Sequence, residues 1–297
     1  MTDKTISLGR TLDLTYYVTN DKNNVSNSNE LEFVKGEPSN SELQYKEGVF
    51  WTPEKTGEYE IKVGNQELSI KVVDVPDSDI FQNSLYRFSY HNVSQPDGTT
   101  PFDVPEVLAG LNDAQAQNSP TFREDQRGVR AGEYDRNDND YHTFSPDANM
   151  PSGTDDFSIA ALVYVNNSSD ESGIVGWGGN SGSDEFVFRI NDDGVEFGSR
   201  VSSEGFAGGG NVPSGEWITC GGLFDGDNVK SILNGSLVAS DSASFSTNIG
   251  DYAEIGRTHD DSGREIDGFI GDIIICDGSE SESSFDEYHN EWMELID

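Results

Sequence analysis

Residues 215–240 read GEWITCGGLFDGDNVKSILNGSLVAS. Three strand-like runs stand in it, 216–224, 229–233 and 236–239. Asn234-Gly235 lies between Lys230-Ser231-Ile232-Leu233 and Ser236-Leu237-Val238-Ala239. Asn-Gly supplies the positive φ angles of a type I′ turn, the strongest short hairpin signal. Working outward, the same chemistry recurs. Asp192-Asp193-Gly194 separates two alternating runs, 185–190 and 195–197. Further runs fall at 85–90, 129–134, 157–165, 173–177, 253–255 and 268–276. Gly-rich turns between short strands predict an all-β sandwich. One helix is expected, at the C-terminus. Phe285, Tyr288, Trp292 and Leu295 recur at helical spacing, and Ser284 with Glu287 makes a capping box.

The first 75 residues alternate as well. Runs at 6–8, 12–18, 31–34, 48–53, 59–63 and 67–73 surround a loop at 19–30 that is full of Asn, Asp and Ser. This pattern predicts a second, smaller β-sandwich. The charge changes between the two parts. Residues 1–75 hold eight cationic and thirteen acidic residues, a net −5. Residues 76–297 hold ten and forty-two, a net −32, with Lys230 as the single lysine. The expected boundary lies near Val75-Pro76-Asp77-Ser78, giving domains 1–76 and 77–297.

The total of −37 excludes nucleic acid, whose phosphates need Lys and Arg, and disfavours anionic membrane surfaces. So much like charge destabilises a compact state at low ionic strength. Acid-rich, lysine-poor surfaces of this kind resemble those of salt-adapted proteins, where molar salt screens repulsion within about 3 Å. Cys220 and Cys276 each sit in an apolar run and read as two buried thiols, a bridge between neighbouring strands being the alternative. The N-terminus has neither a basic nor an apolar segment of the signal-peptide kind, so export by that route is not expected. No window approaches the roughly 18 apolar residues of a membrane span, so membrane insertion is not expected either.

Two families are similar to these segments. GVFWTPEKTGEYEIKV (48–63) resembles immunoglobulin-like modules of bacteria and archaea, which implies that Trp51 and Tyr59 are core residues. Four later stretches resemble, in order, the laminin-G-like family of concanavalin A-like jelly rolls. They are SPTFREDQRGVRAGEYDRNDNDYHTF (119–144), DDFSIAALVYV (155–165), residues 215–240 quoted above, and AEIGRTHDDSGREIDGFIGDIIICDGSESESSFDEYHNEW (253–292). The chain departs from that pattern at Tyr134-Asp135-Arg136-Asn137 and Ala161-Leu162. The resemblance implies an N-terminal Ig-like β-sandwich, then a C-terminal concanavalin A-like jelly-roll sandwich with a short C-terminal helix.

Jelly rolls of this shape include glycoside hydrolases, whose retaining members carry Glu-x-Asp-x-x-Glu on one strand. Glu265-Ile266-Asp267 begins that pattern, and Gly268-Phe269-Ile270 ends it without the last acid. His91, His142, His259 and His289 have no nucleophile beside them, and the glycines of 205–210 do not form a phosphate loop. No catalytic residue is assigned, and a non-enzymatic protein is expected. Calcium is the one cofactor to consider. Many laminin-G-like domains bind it on rim loops, and Asp135, Asn137, Asp138 and Asp140 offer hard oxygen ligands. For a ligand, the loop reading of 176–180 nominates Trp177 to stack on a sugar and Asn180 to bond its hydroxyls. His259, Asp260 and Asp261 form a second loop candidate.

Immunoglobulin-like and laminin-G-like pairs act outside cells as adhesins or spacers. With an acid-rich surface and no signal, the expected setting is the surface of a tailed virus of a salt-loving archaeon. There the chain is a capsid decoration, turret or tail-fibre component. Its N-terminal module docks on other virion proteins, and the jelly roll meets a host-surface glycan or glycoprotein. A closed homo-oligomer, a trimer, is expected on a symmetry axis. The alternatives are a glycoside hydrolase and an archaeal cell-surface adhesin.

Overall fold

The structure is a computed structural model. It describes residues 2–7, 12–13, 31–36, 43–44, 50–51, 53, 55–63, 66–73, 80–81, 83–93, 95–109, 112–124, 129–179, 185–199, 205–244, 248–250, 252–258 and 263–296. The strand expected over 14–18 and the loop 19–30 lie outside these. The chain divides into two compact units. One is Met1–Asp77 with Asp125–Val129 and Met293–Asp297, and the other is Ser78–Glu124 with Arg130–Trp292.

The smaller unit has a four-stranded sheet in the order Thr2–Ser7, Gln66–Val73, Gly57–Val63, Leu31–Lys35. Its first pair is parallel and the others antiparallel. A three-stranded sheet runs Leu12–Asp13, Phe50–Trp51, Leu43–Gln44. Alternation decides the faces. Tyr59, Ile61, Leu68, Ile70 and Val72 turn inward, while Glu58, Glu60, Lys62 and Lys71 are exposed. Trp51 is fully buried, with its ring 4.7 Å from that of Tyr59 and 5.4 Å from that of Phe33. Both expected core aromatics are therefore core residues.

The larger unit is a sandwich of two antiparallel sheets. The first runs Thr121–Glu124, Arg130–Tyr134, Gly268–Asp277, Phe157–Val165, Trp217–Phe224, Asn228–Leu233, Ser236–Ser242, with Ser84–Ser89 also paired to Gly268–Asp277. The second runs Phe206–Gly209, Gly194–Ser199, Glu185–Asn191, Ser172–Gly178, Tyr252–Ile255, Tyr141–Thr143, Gln115–Gln117. Between them lies one core that includes Phe157, Ile159, Trp177, Phe186, Phe188, Phe197, Phe224, Ile273 and Ile275. Asn234 and Gly235 have φ of 48° and 74°, the turn that the dipeptide predicts.

Phe157–Val165 lies mid-sheet and is buried at eight of nine positions, so it reads as a continuous apolar run. The reason is the helix Glu282–Ile296, whose Phe285 and Tyr288 pack on the sheet's outer face. Gly221 and Gly222 show the consequence. A Cβ on Gly221 would lie 2.4 Å from the Phe285 ring of the helix. One on Gly222 would lie 2.2 Å from the Phe197 ring of the opposite sheet. Consecutive strand residues face opposite ways, so the pair admits an aromatic ring on each side. The helix starts earlier than the capping box predicts. Ser281 Oγ accepts the Ser284 amide at 3.2 Å, so Ser281 closes the first turn and Ser284 lies inside it. Cys220 and Cys276 are both buried free thiols, and burial pushes each upward in pKa.

Candidate functional site

The outer face of the seven-stranded sheet follows from its register. One row across it is Gln115, Thr143, Glu254, Gly176, Val187, Gly198, Phe206. The next includes the pair Gln117 and Tyr141, and the series Gly173, Arg189, Glu196, Gly208. The face is rich in glycine at its centre and in polar side chains around it.

The centre is filled from within the unit. Arg257 and Thr258 lie directly on Gly173, where a Cβ would come 2.5 Å from the Thr258 amide nitrogen. The Arg257 guanidinium sits 3.6 Å above the Tyr141 ring and grips Glu254 through Nε at 2.9 Å and through Nη2. Glu265 is fully buried, with Oε1 3.9 Å from Arg257 Nη1 and Oε2 accepting the Gly263 amide at 2.7 Å. Nearby, Arg189 holds Glu196 at 2.6 Å and also pairs with Glu171, which Arg264 meets at 3.3 Å. Arg136 donates to the carbonyls of Glu265 and Glu171 at 2.9 and 2.6 Å. Four of the chain's ten arginines thus join in one network with five carboxylates, counting Asp170, which lies 3.3 Å from Arg136. Glu265 belongs to this network at the entry of strand Gly268–Asp277. Asp267 accepts the Asn166 amide at 2.7 Å.

At the sheet's edge the surface opens instead. A depression of about 640 Å³ is lined by Asn112, Asp113, Gln115, Thr143, Phe144, Ser145 and Ala253. Phe144 and Ala253 are nearly buried, and the Phe144 ring rests 4.6 Å from that of Phe88. Thr143 is half-buried, and Asn112, Asp113, Gln115 and Ser145 are exposed. Gln115 Nε2 donates to the Asp113 carbonyl at 3.1 Å, and Gln117 Nε2 donates to Thr143 Oγ1 at 3.2 Å. The size falls within the range of about 300–1,000 Å³ typical of small-ligand pockets, and an apolar floor with amide, hydroxyl and carboxylate walls suits a molecule with both kinds of face.

Of the expected ligand residues, Trp177 is described. Trp177 lies within strand Ser172–Gly178, not in a loop, and is fully buried. Its Nε1 donates to the Pro151 carbonyl at 3.0 Å, and its ring lies 4.2 Å from Phe186 and 5.6 Å from Phe157. No face is left to stack on a sugar, so Trp177 is corrected to a core residue. Asn180, His259, Asp260 and Asp261 lie outside the described residues. The run 135–140 is a self-bonded loop around a single 3-10 turn, Arg136–Asp138. Asp135 Oδ1 accepts Asn137 N at 2.8 Å and Nδ2 at 3.0 Å. Asp140 is buried and accepts the amides of Ser119 and Asp135 at 2.8 and 3.1 Å, and burial holds its carboxyl above the usual range. Asp138 is exposed. No cluster of three or more His, Cys, Asp or Glu able to hold a metal is found among the described residues. Gln115, Thr143 and Ser145 were not among the sequence candidates. Their one signal is a short polar strand, Gln115–Gln117, which resembles a loop.

Two facing antiparallel sheets of this order form a jelly-roll sandwich. Residues 136–283 match the laminin-G-type model of the concanavalin A-like lectin/glucanases superfamily, and this segment is a domain of that superfamily. Solved structures agree in fold. Domain 4 of AbnA, a GH43 extracellular arabinanase from Geobacillus stearothermophilus solved with arabinotriose, superposes with a TM-score of 0.52 at 14% identity, covering 70% of this chain and 98% of that domain. The botulinum neurotoxin serotype C1 binding domain matches with a TM-score of 0.51 at 14% identity, over 71% of this chain and 52% of its own. The binding domain of Paraclostridial Mosquitocidal Protein 1 matches with 0.51 at 13%, over 72% and 53%. The chain therefore spans about half the length of the toxin domains. Among curated proteins, none matches the chain in sequence.

Proposed function

We propose that this chain is a non-enzymatic glycan-binding protein that works at an outer surface, with the jelly roll as its recognition unit. The observation that supports this reading best is the depression walled by Asn112, Asp113, Gln115, Thr143 and Ser145 on a lectin-type sandwich. Similar folds include an arabinanase domain solved with a sugar and toxin binding domains. Catalysis is disfavoured by the place of Glu265, which is fully buried beside Arg257 rather than open to a sugar bond. The intact protein incubated with a glycan panel should retain ligand and return it uncut. Chain shortening that Glu265→Gln abolishes would reverse the reading.

The setting we assign is the surface of a virus particle in a high-salt host. The smaller unit, an immunoglobulin-like module with the weaker charge, docks on other particle proteins. The strongly acidic jelly roll projects outward, and three copies meet on a symmetry axis. The charge asymmetry between residues 1–75, at −5, and residues 76–297, at −32, supports this division. Immunogold against the last residues should decorate particles, and label confined to cell envelopes would refute the setting. The same reading predicts that stability rises with salt. Melting should occur at higher temperature in about 2 M than in about 0.1 M NaCl, because the Debye length falls from about 10 Å to below 3 Å. An unchanged melting curve removes the salt-adapted part of the proposal.

A further inference from the structure

We infer that the depression at the edge of the seven-stranded sheet selects uncharged oligosaccharides and rejects anionic ones; this rests on the glycan-binding reading above and names the ligand class of that site. Three segments form it, and none of the stretches 108–117, 141–149 and 249–256 contains a lysine or arginine. The same stretches hold four acids, of which Asp113 lines the depression and Glu254 is paired with Arg257. The nearest guanidinium in sequence, Arg257, is held by Glu254 and stacked on Tyr141, so its charge is already neutralised. A carboxylated or sulfated sugar would meet the Asp113 carboxylate and no cation among the lining residues, within a stretch, residues 76–297, that carries a net −32.

What the walls offer suits a neutral polyol. Asn112, Asp113 and Ser145 keep side-chain polar groups with no protein partner among the described residues. The Asp113 carboxylate can accept from sugar hydroxyls, and such charge-assisted bonds are the stronger kind. The Asn112 amide both donates and accepts, as a hydroxyl does. Gln115 is fixed by its bond to the Asp113 carbonyl, and Thr143 by the bond it accepts from Gln117, so both are held in place before a ligand arrives. Phe144 and Ala253 close the floor from the core side.

The test titrates the intact protein with arabinotriose, mannotriose, maltotriose and lactose as neutral probes and sialyllactose as the anionic one. Binding is followed by ligand-detected NMR at about 0.15 M and about 2 M NaCl. At least one neutral probe should bind, with an affinity that changes little with salt, and sialyllactose should bind more weakly than lactose, most of all at the lower salt. Asp113→Ala and Gln115→Ala alter exposed side chains, so melting should be unchanged while affinity falls about tenfold or more. Neutral binding that both variants leave intact would overturn the assignment of this site while the glycan-binding reading stands. Tighter binding of sialyllactose than of lactose would overturn the charge selection. Silence from every probe, with the protein folded, would overturn this inference, whereas a broader glycan panel judges the reading beneath it.

Discussion

Arg87→Leu is expected to destabilise the larger unit by about 3–5 kcal/mol, because it leaves a buried carboxylate without its cation. Arg87 Nε lies 3.0 Å from Asp272 Oδ1, and Asp272 is fully buried on strand Gly268–Asp277. Tyr288 of the C-terminal helix donates to the second oxygen at 3.3 Å. Burial already pushes the Asp272 carboxyl above its usual range, against the pull of Arg87. Without the guanidinium it rises further. The folded variant then holds a proton that the unfolded chain releases, so its deficit should shrink as pH falls from about 7 toward 4. Replacing both residues, Arg87→Leu with Asp272→Leu, should recover much of the loss. Denaturant unfolding at the two pH values checks this, and a deficit that ignores pH would refute the buried-pair account.

Trp177→Ala is expected to cost about 3–5 kcal/mol through the cavity it leaves. In a unit of this size that lowers the melting temperature by roughly 10 °C. Glycan binding per folded molecule should stay as it was, because the ring touches Phe157, Phe186 and the Pro151 carbonyl rather than solvent. A variant that melts normally but loses its glycan would restore Trp177 to the ligand site. Calorimetry alongside a binding titration separates the two.

The contrast between these residues shows where the sequence is legible. Residues 215–240 read correctly because Asn234-Gly235 allows a single turn and the flanking strands are long. Residues 173–177 read as a strand and 176–180 as a loop, because glycines usually mark one, and the strand in fact continues through Gly178. Here Gly173 and Gly176 are in a strand for another reason: Arg257 and Thr258 fill the space a side chain would need at Gly173, and Thr258 crowds that at Gly176. That packing partner lies some eighty residues away, beyond the reach of any local pattern. The Arg136, Arg189, Arg257 and Arg264 network is hidden only in part: Arg257 with Glu254 and Arg189 with Glu196 are neighbours in sequence, whereas Arg264 with Glu171 and Arg136 with Asp170 close only when distant segments meet. The candidate depression was missed because Gln115–Gln117 and Tyr141–Thr143 are three residues long and largely polar, too short for alternation to show.

The central claim is that the jelly roll recognises glycans. Its most direct measurement is the binding of the intact, labelled protein to a broad glycan array in molar salt, where the −37 charge is screened. Retention on a subset of neutral oligosaccharides, competed by the same free sugars, is the result this account predicts. A folded protein that binds no glycan on the array would contradict it.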